Sequence, residues 1–329
     1  MSSLKTAIIS NANGMELHVS NFGATILSLK VPNKQGQFTD VVVGLSSPLD
    51  YLKDDYLNQN RCLGSSNGRY AGRISGSGYK IDGIFYALSQ HKGEHLHGGF
   101  NGFDKQYWNI ESVDRTKNPT IKLTYLSKHL EEGHPGNLQV SVSYQLLESN
   151  ELIITYSAET DAPTHVNLTN HSYFNLNGNG TICNHKLQIK SDRYLEVDFE
   201  TTIPSGEILN SSKTRVDRNE LETIARHDFR GFDDTFILTS DVSCARLISD
   251  DTGIKMIVDT NQPTFVVFTP KNFDNVSFKE GLTYGDFPAI CFEAQNYPDA
   301  PNHINFPSSL LQPGEVYENR TNFRFKLIS

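Results

Sequence analysis

Cysteine is scarce in this chain of 329 residues, and the four present, Cys62, Cys183, Cys244 and Cys291, are scattered without a CxxC pair. Their spacing excludes a disulfide framework and a zinc knuckle. Positive charge is also in deficit: 29 basic residues face 38 acidic ones, a net charge of -9. A polyanionic partner such as nucleic acid is disfavoured by that balance. No run approaches the roughly 18 apolar residues of a membrane span, and the N-terminus offers only Ala7-Ile8-Ile9, too short for the apolar stretch of a signal peptide. The expectation is a cytoplasmic protein that meets neither membrane nor nucleic acid. Sequons such as Asn210-Ser211-Ser212 then carry no weight, because glycosylation requires secretion. Two chemical signatures are missing as well. No glycine-rich loop ends in Gly-Lys-Ser/Thr, and no G-x-S-x-G elbow occurs, which disfavours nucleotide binding and covalent acyl transfer.

What is present is β signal from end to end. Thr6 to Ser10, Met15 to Ser20, Thr25 to Val31 and Asp40 to Val43 are short, rich in β-branched residues and separated by turn residues. Leu138, Val140, Val142, Tyr144 and Leu146 alternate with polar residues, and Leu152, Ile154, Tyr156 and Ala158 repeat the pattern, so the pair reads as an antiparallel hairpin with one wet side. Further strands are expected at 185–190, 194–197, 245–248, 254–259, 264–269 and 289–293, with a final one carrying Phe323, Phe325 and Leu327. Asp217 to Ala225 is the one short helix the pattern suggests. No linker, repeat or composition shift divides the chain, so residues 1–329 are expected to form a single domain. About twenty short strands joined by tight turns predict a large antiparallel β-sandwich.

Two kinds of stretch break this regularity. Residues 45–78 are polar, glycine-rich and tyrosine-bearing, and a loop of that length in a compact protein usually serves a site. The second is Val166 to Leu176, VNLTNHSYFNL, which sets His171 at the end of a run alternating Thr164, Val166 and Leu168 with His165, Asn167 and Thr169. Period-two alternation there predicts a strand with one buried face. His171 is either a satisfied polar residue or a proton carrier, since an imidazole titrates near neutrality.

Other candidates have competing readings. Arg73 suits a surface ion pair as well as a site. Asp233 and Asp234 follow Gly231-Phe232, a turn in which one carboxylate would cap its own backbone. His91, His95 and His97 alternate as metal ligands on a strand would, but Gly98-Gly99 breaks the strand and no carboxylate partner is near, so no metal is expected. Glu293 ends an apolar strand, where an ionisable group is costly unless paired or functional. A glutamate and histidines together suit general acid-base work on a neutral substrate. Aromatic residues beside Asn, Asp and Arg suit a sugar, with its apolar faces and polar rim.

Five segments carry a resemblance: GRYAGRI, HLHGGFNGFDKQYW, VNLTNHSYFNL, GFDDTF and CFEAQNYPDAPNHINFP, with PGEVYENRTNFRF after the last. In this order and over essentially the whole chain they resemble the aldose 1-epimerase family, also called galactose mutarotases. The resemblance implies a galactose mutarotase-like β-supersandwich with the site on the concave face of a curved sheet. By motif, Glu293 matches the general base, His171 the general acid, and His97 the histidine that helps polarise the ring oxygen. Arg73 and Asp233 match residues that hydrogen-bond sugar hydroxyls, and Tyr173 lines the pocket. Glu293 is expected ionised and His171 a proton donor. No cofactor and no metal is implied, and the partner is a small-molecule sugar; the oligomeric state is open.

Two positions depart from the family pattern: Gly72 where Asn often precedes the arginine, and Val266 where some members carry Gln. Both bear on which sugar is preferred, galactose, glucose or a reducing disaccharide such as maltose. The competing functions are a sugar-binding protein without turnover and an epimerase of a hexose 6-phosphate, which would want a basic cluster that Arg73, with Lys92 and Lys105 nearby, only partly supplies.

Overall fold

The computed structural model describes residues 3–90, 93–226, 229–274 and 276–328. Two antiparallel sheets face each other across the main core. The larger has nine strands in the order 109–114, 120–127, 138–147, 151–160, 317–327, 254–260, 245–248, 186–189 and 222–223. The smaller has six, in the order 173–174, 290–295, 264–268, 233–237, 193–197 and 204–210. A separate four-stranded meander covers residues 6–40. The expected β-sandwich is therefore the architecture observed.

The hairpin Leu138–Leu147 and Glu151–Thr160 pairs in unbroken register from Leu138↔Thr160 to Leu147↔Glu151. Its apolar set is wholly buried, and meets Phe265, Val267, Ile290 and Phe292 of the facing sheet in one core cluster. Each such side chain removed from water contributes roughly 1.5–3 kcal/mol. The closing strand Tyr317–Leu327 lies between this hairpin and Ile254–Thr260, and so ties the two halves of the large sheet together.

Three expectations need correction. Asp217 to Ala225 is not helical; Glu222–Thr223 is a short strand on Lys186–Leu187. The apolar positions explain why: Val216 and Ile224 enter the core while Leu221 stays exposed, so no helical face would be buried. Arg218 turns inward instead and donates to the carbonyls of Thr223 and Ile224. Secondly, the expected strand over residues 164–169 is not one strand with a wet face, and neither is its continuation to 176. Every residue of that stretch is buried, and three two-residue strands pair with three different partners, Leu310–Leu311, Ser66–Asn67 and Ile290–Cys291. Its asparagines are satisfied inside: Asn167 Nδ2 donates to Ala71 O and Asn170 Nδ2 to Gly64 O. Thirdly, Asp233 and Asp234 lie on the strand Asp233–Ile237 rather than in a turn.

Candidate active site

Alternation along Ile290–Gln295 decides where Glu293 points. Ile290, Phe292 and Ala294 enter the main core, which leaves Cys291, Glu293 and Gln295 on the other face of the six-stranded sheet. Thr264–Phe268 repeats the pattern, with Phe265 and Val267 inward and Val266 and Phe268 on the face of Glu293. Register then aligns Thr235, Val266 and Glu293 in one row, and Asp233, Phe268, Cys291 and Tyr173 in the next. These rows form the floor of a cavity of about 400 Å³. Glu293, His171, His97, Arg73, Asp233 and Tyr173 all line it, although they span more than two hundred positions of the chain.

His171 enters from the fully buried 164–176 segment. Its ring stacks on Tyr173 at 4.9 Å between centroids and 20° between planes, and meets His97 edge-on at 5.4 Å. Tyr173 is itself anchored, its hydroxyl donating to Arg61 O at 2.7 Å. His171 Nε2 lies 3.4 Å from Glu293 Oε1. The remaining polar atoms of that pair, His171 Nδ1 and Glu293 Oε2, are buried without a partner in the protein. Leaving such groups unsatisfied costs about 1–3 kcal/mol each, a cost that a bound polar molecule relieves.

His97 follows the short strand His95–Leu96 in the left-handed region, φ 51°. Gly98 behind it sits so close to the chain that a Cβ would come within 1.8 Å of Gly68 O. The Gly72 N–H donates to His97 Nδ1 at 3.3 Å, and the His97 N–H to Gly72 O at 3.0 Å. With Nδ1 accepting, a neutral His97 carries its hydrogen on Nε2, which is then a donor for a bound oxygen. Arg73 combines its two readings: it lines the cavity and its Nε pairs with Glu94 Oε2 at 2.9 Å. Asp234 turns away to a two-pronged ion pair with Arg215, at 2.6 and 3.0 Å, which leaves Asp233 to the cavity.

Burial dominates the electrostatics. It lifts Glu293 to about 8, with the charge of Asp233 adding to the rise and Arg73 opposing it. It lowers His171 to about 4. His97 is pushed well down by burial, then by His171, Arg73 and Lys105. Asp233 is raised by burial and moderated by Arg73. Burial thus pushes both groups toward their uncharged forms, which favours the shared proton on the Glu293 carboxyl, whereas the expected donor role of His171 needs it on the imidazole. The count is the same either way: the pair holds one titratable proton, and a single transfer between Oε1 and Nε2 converts one form into the other.

One ligand atom from each of His97, His171 and Glu293 lies within 4.8 Å of the others, a spacing that suits a metal ion. Two features oppose one. The Gly72 N–H occupies His97 Nδ1 and leaves an N–H at Nε2, and Arg73 and Lys105 direct positive charge at the same imidazole. The alternative ligand set also fails. His95 is fully buried with its ring nitrogens turned to Ser89 O and His134, while His91 and Lys92 lie outside the described residues.

Residues 5–324 match the family model described as aldose 1-epimerase. The chain belongs to the aldose 1-epimerase family. It is 38% identical over 325 residues to a galactose mutarotase from Pongo abelii, covering 95% of this chain and 92% of that one. The aldose 1-epimerase of Escherichia coli K12 is 34% identical over 331 residues, covering 96% and 93%. Among solved structures, an aldose epimerase homologue from C. elegans superposes with a TM-score of 0.91 at 28% identity, over 99% of this chain and 100% of that one. A galactose 1-epimerase from Lactobacillus acidophilus gives 0.84 at 27%, with the same coverage. As a member of this family the chain is an enzyme, a carbohydrate isomerase.

Sequence reasoning missed part of the lining. Asn60 and Arg61 come from the 45–78 loop, whose length was the only signal. Thr235 sits two positions after Asp233 on one strand, so strand periodicity alone would have put it on the same face. Thr202 lies in the connection between Arg193–Val197 and Pro204–Asn210, Pro204 opens the second of these strands, and neither carries a chemical motif.

Proposed function

We propose that this epimerase interconverts the α and β anomers of an aldohexose through Glu293 and His171. The observation that carries the reading is the 3.4 Å contact between His171 Nε2 and Glu293 Oε1 at the floor of a sugar-sized cavity. In the working form the proton has moved to His171. The Glu293 carboxylate takes the anomeric hydroxyl proton, the O1 electron pair closes to C1=O1, the C1 to ring-oxygen bond breaks, and the ring oxygen takes the proton of His171. Rotation about C1–C2 presents the other carbonyl face, and the same steps in reverse close the opposite anomer. Each positioned group contributes roughly 10²- to 10⁴-fold.

Ring opening ends with Glu293 protonated and His171 neutral, the arrangement burial already favours. Hydrogen bonds from the sugar favour the charge-separated form needed at the start: the anomeric hydroxyl donates to the carboxylate, and the ring oxygen accepts from the imidazolium. His97 supports the second contact through its Nε2–H. Arg73 and Asp233 bind hydroxyls, and Tyr173 holds the plane of His171 as well as lining the cavity. No step calls for a metal or cofactor.

A hexose phosphate is a poor match for the lining. Arg73 is paired with Glu94, and Arg61 is engaged with Gln59, Asn272 O and Asp274 O. We read the chain as one domain because a single core cluster runs from Ala7 to Phe325; one calorimetric unfolding transition is expected, and two would divide it. Cytoplasmic residence is likewise our reading; no helix among the described residues is long and apolar enough to cross a membrane. Polarimetry of freshly dissolved α-D-galactose and α-D-glucose, with and without the protein, tests the activity. Acceleration in either sugar is expected, and no change in either would overturn the proposal.

A further inference from the structure

Four histidines among the described residues lie outside the cavity yet fully or almost fully buried: His95, His134, His165 and His185. Two of them form a chain of hydrogen bonds whose polarity can be worked out atom by atom. His95 Nδ1 lies 2.7 Å from Ser89 O, and a carbonyl only accepts, so the hydrogen is on Nδ1. Burial disfavours a second proton, so His95 Nε2 is a bare acceptor. His134 Nε2, 3.3 Å away, must then donate to it. His134 Nδ1 is left as an acceptor, and the Tyr79 hydroxyl at 2.8 Å donates there. Each assignment forces the next, and the chain runs one way, from Tyr79 through His134 and His95 to Ser89 O.

The end of this chain is two residues from His97. Strand His95–Leu96 pairs with Arg73–Ile74, Ile74 opposite His95 and Arg73 opposite Leu96. The ring of His95 is therefore pinned at both nitrogens at the point where the backbone presents Arg73 and His97 to the cavity. The same turn that supplies His134 grips the far side of the His97 loop: the Glu132 carboxylate accepts from the Phe100 and Asn101 N–H groups, at 3.0 Å each, and from the Ser89 hydroxyl. The loop at 131–134 thus holds the backbone before and after His97, whose left-handed conformation needs such support.

We propose that His134 is a positioning residue for the epimerase reaction, holding His95 in a single tautomer and through it the geometry of His97. This rests on the role given to His97 above. The test compares His134→Leu, which keeps bulk but loses both hydrogen bonds, with His134→Gln, which keeps a side-chain N–H donor for His95. In His134→Leu, kcat is expected to fall about 10- to 100-fold, the scale of a displacement of about 1 Å at a catalytic group, with KM nearly unchanged. His134→Gln should recover most of that loss. Imidazole nitrogen shifts of histidine-labelled protein should report hydrogen on Nδ1 of His95 and Nε2 of His134, a readout independent of activity. The opposite tautomers would overturn the inference, as would a Leu variant that loses thermal stability but keeps native kcat in its folded fraction, or a Gln variant no better than Leu. Native kcat in His97→Ala would instead remove the reading of His97 on which the functional half depends.

Discussion

The hairpin 138–160 and the segment 164–176 are neighbours in the chain and opposites in construction. The hairpin is regular: one face apolar and buried, the other polar except for Leu147 and Ile153, ten residue pairs in continuous register. The segment is buried on every side and changes pairing partner every few residues. In the hairpin stability comes from apolar area and tolerates any polar residue that faces water. In the segment each polar side chain must find its own buried partner, and the arrangement that satisfies them also delivers His171 to the cavity. The geometry of the proposed catalytic site is held by hydrogen bonds specific to single residues, while the bulk of the fold rests on a periodic pattern.

Substitutions should separate the two. Glu293→Gln keeps the shape and removes the base, so turnover should drop by roughly 10³-fold or more with the fold intact; undiminished mutarotation in polarimetry would remove Glu293 from its role. Leu152→Ala in the hairpin should do the reverse, costing about 2–5 kcal/mol in denaturant unfolding with native kcat per folded molecule. Asn167→Ala probes the mixed case. Its side chain donates to Ala71 O and accepts from the Asn296 N–H, so about 1–3 kcal/mol should be lost together with a fall in kcat. A loss of stability without any loss of rate would show that the segment is merely core.

The proposed acid-base pair also has a pH signature. Below about 4 His171 binds a second proton and Glu293 cannot act as base; above about 8 the pair loses its only proton and no acid remains. The kcat/KM profile should be a bell with limbs near those values, belonging to the pair as a whole. For stability the sign follows from Glu293 having a folded pKa above its unfolded one. The folded state binds more protons through that window, so its contribution declines as pH rises from the ordinary carboxylate value to about 8, and Glu293→Gln should flatten this decline. Smallest of all, Leu221→Lys, at the exposed position of the helix that does not form, should change stability by less than about 0.5 kcal/mol.

Legibility in the sequence followed the same division. The 138–160 hairpin and the closing strand were readable because their buried residues fall largely at a period of two, and the strands at 245–260 because they are β-rich runs joined by a tight turn. Residues 164–176 misled because alternation of apolar and polar residues normally marks a wet face, and here the polar residues are paired inside. The stretch 217–225 misled because local helix spacing says nothing about which apolar residues the core will take, and it takes Val216 and Ile224 but not Leu221. Five of the six candidate residues stood out by their setting in irregular sequence or at a strand end, and Tyr173 and the proposed roles came by motif; nothing in their spacing predicts that strand register brings Asp233, Tyr173 and Glu293 onto one floor. That burial pushes Glu293 and His171 toward their uncharged forms was unreadable, since it depends on how completely both groups are buried.

The pair of His171 and Glu293, sealed at the cavity floor with one proton between them, has a further consequence. A catalyst that begins and ends each cycle in the same protonation state needs no exchange with solvent to reset itself. Whichever anomer leaves, the site is ready for either, so the protein speeds approach to equilibrium from both sides without tilting it. Turnover should accordingly be indifferent to buffer concentration, in contrast to mutarotation in free solution, where the buffer itself must carry the protons.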